Sequence, residues 1–220
     1  MSRLVAALAP AAAIAGDARP EPGQRVVFVT GSTGGLGREV ALALAAAGDH
    51  VILHGRNEER AKAVLEAIES DGNGSARFYR ADLASLADTR QLAESILADY
   101  DRLDVLVNNA GVFLPDQAER IVTDDGYELH FQVNYLSGYL LADLLMPLLE
   151  ASAPARIINV ASGQRPIDFD DLQIENGYTG MDAYFRSKNA QIMMAFAMAD
   201  DLAGRGITIN AMHPLSLIHI

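Results

Sequence analysis

The sequence predicts an α/β protein built on one doubly wound parallel sheet of about six strands. From Arg25 onward, short β-branched runs alternate with longer helical patterns, which is typical of consecutive βαβ units. The runs are nearly all apolar, as expected of strands that are covered on both faces. The predicted strands are 26–30, 50–54, 77–80, 103–107, 156–160 and 208–212.

The segments between these strands carry start and stop signals for helices. Asn57 precedes two glutamates and Gly72 follows Asp71, which predicts a helix capped at both ends. Ser85 predicts the start of a helix that runs to about Asp99. Three further helices are predicted over 38–47, 126–149 and 181–203.

The chain has 220 residues, 50% of them hydrophobic, and can therefore bury one large core. We expect a single domain over 25–214, preceded by a flexible extension over 1–24. A short signal peptide is the alternative for the alanine-rich start, but Pro10 interrupts its apolar region. No apolar run reaches the roughly 18 residues of a membrane-spanning helix.

Composition limits the partners and the chemistry. A formal net charge of -12 argues against binding to nucleic acid, which needs clustered lysines and arginines. The absence of cysteine excludes disulfides and thiolate catalysis, and it is compatible with the cytoplasm, where we expect the protein. The five histidines are scattered, so we expect no metal site.

A glycine-rich turn joins the first predicted strand to the first predicted helix. Glycines at such a turn let the backbone approach a pyrophosphate, and the helix N-terminus offers free N–H donors. The spacing differs from the common G-x-G-x-x-G pattern, and a plain structural turn is the alternative. The predicted cofactor-binding residues of this turn are Gly31, Ser32, Thr33, Gly35, Leu36 and Gly37.

The second predicted strand ends in Arg56, without a carboxylate at its tip. A carboxylate at this place usually binds the ribose 2′-hydroxyl of NAD, whereas an arginine suits the 2′-phosphate of NADP. We therefore expect NADP(H) to be preferred over NAD(H), unless Arg56 is only a solvated surface charge.

Tyr184 and Lys188 are four residues apart in a predicted helix and therefore lie on one face of it. An adjacent ammonium favours the phenolate form, which makes a tyrosine usable as an acid or base near neutral pH. Ser162 follows the fifth predicted strand and could hydrogen-bond a substrate carbonyl. A surface pair is the alternative for any tyrosine and lysine at this spacing.

Together these motifs resemble the short-chain dehydrogenase/reductase family over residues 25–214. The matching pieces, in family order, are Thr30-Gly31 with Gly35 and Gly37, Asp82-Leu83, Asn108-Asn109-Ala110-Gly111, Asn134, Ser162, and Tyr184 with Lys188. The resemblance implies a Rossmann-type fold and an oxidoreductase that interconverts a carbonyl and an alcohol by hydride transfer. A small, lipophilic substrate and a homo-oligomer are expected with it.

The resemblance also implies the roles of individual residues. Tyr184 would be the proton donor or acceptor, Ser162 would orient the carbonyl, Lys188 would bind the nicotinamide ribose, and Asn134 would sustain a proton relay. The remaining implied cofactor contacts are Asp82, Leu83, Asn109, Ala110, Gly111 and Pro214.

Within the family, the segments Ile167–Leu172 and Asn210–Pro214 look like the branch of the retinol dehydrogenases and WW-domain oxidoreductases. Family members normally follow His-Pro with glycine, a final strand and a substrate lid, whereas this chain ends Leu215–Ile220. We expect these six residues to be a non-native tail, and the 220-residue chain to bind cofactor poorly and to turn over little. An NADP-binding regulatory module and a non-functional fragment are the alternatives to an enzyme.

Overall fold

The structure is a computed structural model that describes residues 18–214, and these form one six-stranded parallel sheet. The spatial order of the strands is β3-β2-β1-β4-β5-β6, and every neighbouring pair is parallel. The strands are β1 (Val26–Val29), β2 (His50–Gly55), β3 (Ser75–Arg80), β4 (Val105–Asn108), β5 (Ala155–Val160) and β6 (Ile207–Met212). The predicted Rossmann-type sheet is confirmed. Because the order reverses between β1 and β4, a crevice opens there at the carboxyl ends of the strands.

Helices cover both faces of the sheet, which explains why a central strand such as β1 is apolar along its whole length. Val27 and Val29 of β1 belong to a core with helices α1 (Gly35–Ala46) and α2 (Glu58–Asp71). Val26 and Phe28 point to the opposite face. The helices of that face are α3 (Leu86–Asp99), α4 (Ser137–Leu144), α5 (Met146–Ala151) and α6 (Gly180–Asp201).

The predicted caps of α2 and α3 are confirmed. The Asn57 side chain accepts the Arg60 N–H at 2.8 Å, and Gly72 ends α2 with a left-handed φ of 72°. The Ser85 hydroxyl accepts the Asp88 N–H at 3.1 Å at the start of α3. The two helices therefore begin where the local sequence satisfies their first free N–H groups.

The single helix predicted over 126–149 is wrong. Gly126 lies in a turn with φ of 88°, and Glu128 pairs with Val122 in an isolated bridge, so the helix begins only at Leu129. A π-helical segment (Phe131–Leu136) follows and leads into α4. Pro147 lies in the first turn of α5, where its missing N–H costs nothing and a continuous helix cannot pass.

The ends of the described chain bear on two expectations. Gln24, at the end of the predicted extension, donates to the Gly48 carbonyl at 3.0 Å and accepts from the Ser75 hydroxyl at 3.2 Å. Residues 1–17 of that extension and the predicted tail (215–220) lie outside the described residues. Between residues 18 and 214, none of the helices is both long enough and apolar enough to cross a membrane.

Candidate active site

A cleft of about 560 Å³ opens at the carboxyl edge of the sheet, where the strand order reverses. The glycine-rich turn, the ends of β2 and β3, the loop after β4 and one face of α6 form its walls. All predicted cofactor-binding residues except Ser32 line it, namely Gly31, Thr33, Gly35, Leu36, Gly37, Arg56, Asp82, Leu83, Asn109, Ala110, Gly111, Tyr184, Lys188 and Pro214.

The glycine-rich turn is packed so closely at Gly31 and Gly37 that a side chain would not fit at either position. A Cβ on Gly37 would lie 2.4 Å from both the Asn109 amide nitrogen and the Gly31 carbonyl oxygen. Gly31 has φ of 66°, and a Cβ there would lie 2.9 Å from Ala110 Cα. Gly34 precedes α1 without a side-chain cap, unlike Asn57 before α2. The turn therefore brings backbone and uncapped N–H groups to the cleft, as a dinucleotide pyrophosphate requires.

Ser32 lies behind the turn and not in the cleft. It is fully buried, its N–H donates to the His54 carbonyl at 2.9 Å, and its hydroxyl accepts the His54 N–H at 2.9 Å. These bonds fasten the turn to the end of β2.

His54 is a site residue that the sequence did not reveal. Its Nδ1 accepts the Gly31 N–H at 3.1 Å, so the ring proton lies on Nε2, 3.2 Å from the Ala81 carbonyl oxygen. Burial lowers the pKa of His54 to about 4, although the Ala81 bond opposes the shift. A histidine in an apolar strand carries no signal of such a bond, because its partners are distant in the chain.

Two arginines lie at the end of the cleft next to β2. The Arg56 Nη1 atom is 3.5 Å from Asp82 Oδ2, and both side chains are largely exposed. Arg60 also lines the cleft, and no carboxylate among residues 18–214 lies within ion-pair distance of its guanidinium. Arg60 was not predicted from the sequence; it lies in the first turn of α2, whereas Arg56 precedes that helix, and both line the cleft. Together they form a cationic patch that suits a phosphate.

Tyr184 and Lys188 project from α6 into the opposite end of the cleft. The Lys188 Nζ atom is 5.9 Å from the Tyr184 ring centroid and donates to the Val160 carbonyl at 2.8 Å and to Gln191 Oε1 at 2.9 Å. Burial lowers the pKa of Lys188 to about 8, so the ammonium form still predominates at pH 7. The centroids of the Phe113 and Tyr184 rings are 4.5 Å apart, and Phe113, which lines the cleft, is 53% exposed. A phenol thus lies beside a fixed cation and an exposed apolar wall.

Asn134 and Ser162 lie near this cleft without lining it. Asn134, in the π-helical segment, accepts the Val112 N–H at 2.7 Å and donates to the Ser187 hydroxyl at 2.9 Å. Its side chain therefore joins the loop after β4 to α6. Ser162 lines an adjoining cavity of about 590 Å³ between α6 and β6, and Ala161 borders both cavities.

Comparison with known proteins places this arrangement in a family. The family model of the short chain dehydrogenases matches residues 25–217. The chain is 40% identical to mouse retinol dehydrogenase 13 over 210 residues, which cover 91% of this chain and 62% of that protein. It is 37% identical to human retinol dehydrogenase 14 over 207 residues, covering 86% and 61%. The chain thus spans about three fifths of the length of the curated relatives it matches.

Solved structures agree with the sequence relatives. The Pseudomonas aeruginosa RhlG/NADP active-site complex superposes with a TM-score of 0.70 at 32% identity, over 86% of this chain and 72% of that one. The predicted resemblance to the retinol dehydrogenase branch is confirmed by the 40% identity above. From its motifs, sheet order and similarity, this chain belongs to the short chain dehydrogenase family.

Proposed function

We propose that this chain carries the cofactor site and proton-transfer groups of an NADP(H)-dependent oxidoreductase that interconverts a carbonyl and an alcohol. The observation that carries the proposal is that Tyr184 and Lys188 line the same cleft as the glycine-rich turn. The turn fits a dinucleotide, because Gly31 and Gly37 leave no room for a Cβ where the backbone must approach the pyrophosphate.

Each part of the proposed reaction is assigned to particular residues. The turn and the two arginines would hold the phosphates, and a bound nicotinamide would supply or accept the hydride. Tyr184 would give its phenolic proton to the carbonyl oxygen, or take it from the alcohol. The Lys188 ammonium would stabilise the phenolate left behind and donate to the nicotinamide ribose. Ser162, which follows Ala161 and lines the adjoining cavity, would donate a hydrogen bond to the same carbonyl oxygen. Asn134 would support the proton relay that reprotonates Tyr184.

The preference for NADP(H) rests on charge. Arg56 and Arg60 line the adenosine end, while Asp82 is already engaged by Arg56. Two guanidinium groups attract a 2′-phosphate, and a planar guanidinium can donate to two of its oxygens. The similar Pseudomonas aeruginosa structure is a complex with NADP, which supports this assignment.

A lipophilic substrate is supported by the surroundings of Tyr184. Phe113 presents an exposed ring beside it, and the adjoining cavity near Ser162 is walled mainly by apolar residues such as Ile192 and Phe196. Retinol, after which two relatives are named, is a substrate of this kind. We also propose a cytoplasmic location, with which the lack of cysteine is compatible, and a homo-oligomer that uses α4 and α6.

The test is NADPH oxidation with a panel of lipophilic aldehydes and ketones, with wild type compared with Tyr184→Phe. Removing the phenolic hydroxyl should leave NADPH affinity within about threefold and lower turnover by about 100-fold or more, the usual range for a lost general acid. Tyr139→Phe is the matched control, because it removes a hydroxyl from an exposed side chain on α4. A Tyr184→Phe variant as active as wild type would refute the proposal.

A further inference from the structure

A buried carboxylate and imidazole lie beside Tyr184 and are not used by the proposed mechanism. Glu128 is 1% exposed and His130 is fully buried, and the His130 Nδ1 atom is 2.8 Å from Glu128 Oε1. Neither residue lines the cleft, although Leu129 between them does. Buried ionisable side chains need several hydrogen bonds to offset their desolvation, so their partners show what the pair holds in place.

The hydrogen bonds fix the tautomer of the histidine. The Leu114 N–H donates to His130 Nε2 at 3.3 Å, so the ring proton lies on Nδ1 and is donated to Glu128. Glu128 also accepts the Phe131 N–H at 2.8 Å and the Tyr178 hydroxyl at 3.1 Å. Burial acts to raise the pKa of Glu128, but the His130 and backbone hydrogen bonds outweigh it and lower the pKa overall. Glu128 is therefore a charged acceptor of hydrogen bonds both from its own segment and from Tyr178, which is distant in the chain.

Two loops meet at this pair. One, residues 111–117 after β4, is held by His130 through Leu114. The other loop, residues 161–179 before α6, is held by Glu128 in two ways. The Glu128 carboxylate accepts the Tyr178 hydroxyl, and the Glu128 backbone N–H donates to the Gln173 side-chain oxygen at 2.7 Å.

The first loop also contacts Gly180, the first residue of α6, which directly follows the second loop. The Gly180 N–H donates to the Gln117 carbonyl at 2.9 Å, and a Cβ on Gly180 would lie 1.9 Å from the Leu114 carbonyl oxygen. A shift of one loop must therefore move the other.

Both loops border Tyr184. The first carries Phe113, whose ring packs 4.5 Å from the Tyr184 ring, and the second leads directly into the helix that carries Tyr184. The His130 ring itself lies edge-on to Tyr184, with 6.4 Å between centroids. The glycine-rich turn, which joins β1 to α1, and the two arginines, which follow β2, belong to other segments and have no hydrogen bond to Glu128 or His130.

We infer that Glu128 and His130 are positioning residues that clamp the loops 111–117 and 161–179 around Tyr184 and so set the carbonyl-binding side of the cleft. The inference rests on the proposed function for its kinetic consequence but not for its structural one. Loss of the clamp should displace Phe113 and Tyr184 from the carbonyl while leaving the dinucleotide end intact. Misplacement of reacting groups by about 1 Å is enough to lower a rate by about 100-fold.

The experiment compares wild type with Glu128→Gln, which keeps the shape of the side chain and removes its charge. Hydrogen exchange followed by mass spectrometry should show faster exchange in both loops and unchanged exchange in β1 to β3. The catalytic efficiency for a lipophilic aldehyde should fall about 10- to 100-fold, while the NADPH dissociation constant changes less than about threefold. Glu150→Gln is the matched control, because Glu150 pairs with Arg205 on the surface away from the cleft.

Two further variants keep the inference open to refutation if Glu128→Gln does not fold. Tyr178→Phe removes one donor from Glu128 and should loosen the second loop more than the first. His130→Gln retains one donor and one acceptor and should be closer to wild type than His130→Ala.

Unchanged exchange in both loops, or an equal loss of NADPH affinity and aldehyde turnover, would overturn the clamp. Faster exchange in both loops together with no carbonyl reduction by wild type would support the clamp and reject the proposed function.

Discussion

Acid should destabilise this fold through two histidines buried in β2. His50 and His54 are 0% and 3% exposed, and burial lowers the pKa of each to about 4, with the Arg77 charge adding to the effect at His50. In the unfolded chain each would titrate near 6.5. Between these values the unfolded chain binds a proton that the folded chain cannot accept, so stability is complete above pH 7 and is lost as the pH falls.

The size of the effect follows from the two pKa values. For one such histidine, the free energy of unfolding should fall by roughly 2 kcal/mol between pH 7 and pH 5. The contribution of His54 is isolated by His54→Gln. Glutamine keeps one acceptor for the Gly31 N–H and one donor for the Ala81 carbonyl but does not titrate. At pH 7 this variant should be less stable than wild type by about 1–2 kcal/mol, because its hydrogen bonds are less well aligned.

Urea unfolding at pH 7, 6 and 5 measures this dependence. Between pH 7 and pH 5 the free energy of unfolding of His54→Gln should fall by roughly 2 kcal/mol less than that of wild type. For a His50→Gln/His54→Gln double variant the difference from wild type should be about twice as large. The two effects should add because the two rings lie at opposite ends of β2 and share no partner. If the single variant loses as much stability as wild type over this range, His54 is protonated in the folded protein and the reasoning is wrong.

Two further predictions concern the cofactor end of the cleft. Replacing Arg56 or Arg60 with alanine should weaken NADPH binding by about 10-fold each, the value of one exposed charge-assisted contact with a phosphate, and should leave NADH binding unchanged. Titration of both nucleotides checks this, and equal losses for NADPH and NADH would contradict the assignment. Gly37→Ala should destabilise the fold by about 2 kcal/mol or more in thermal unfolding, because its Cβ would lie 2.4 Å from atoms of Asn109 and Gly31. Gly34→Ala is the control and should be nearly neutral in the same assay, because the nearest atom to its Cβ would be 3.9 Å away.

The fold was predictable because its signals are local. Nearly continuous apolar runs marked β1 and β2, and side-chain caps at Asn57 and Ser85 marked two helices within a few residues. The segment 126–149 was mispredicted because its start depends on the pairing of Glu128 with Val122, which helical periodicity does not reveal.

The candidate site was predictable where it depends on backbone shape or on one helix face. Gly37 and the pair of Tyr184 and Lys188 are of this kind. Contacts between distant segments escaped the prediction. His54 supports the turn from the neighbouring strand, and His130 reaches a loop 16 positions before it in the chain, so neither role leaves a local pattern.

A crystal structure of the chain with NADP⁺ tests the central claim most directly, namely that one cleft holds the cofactor and the proton donor. We expect the 2′-phosphate between Arg56 and Arg60, the pyrophosphate over the glycine-rich turn, and the nicotinamide ribose within hydrogen-bonding distance of Lys188. An open position that the Tyr184 hydroxyl can reach should lie beside the nicotinamide. A nucleotide bound in the cavity near Ser162, or bound in the cleft with its nicotinamide at the arginines, would contradict the claim.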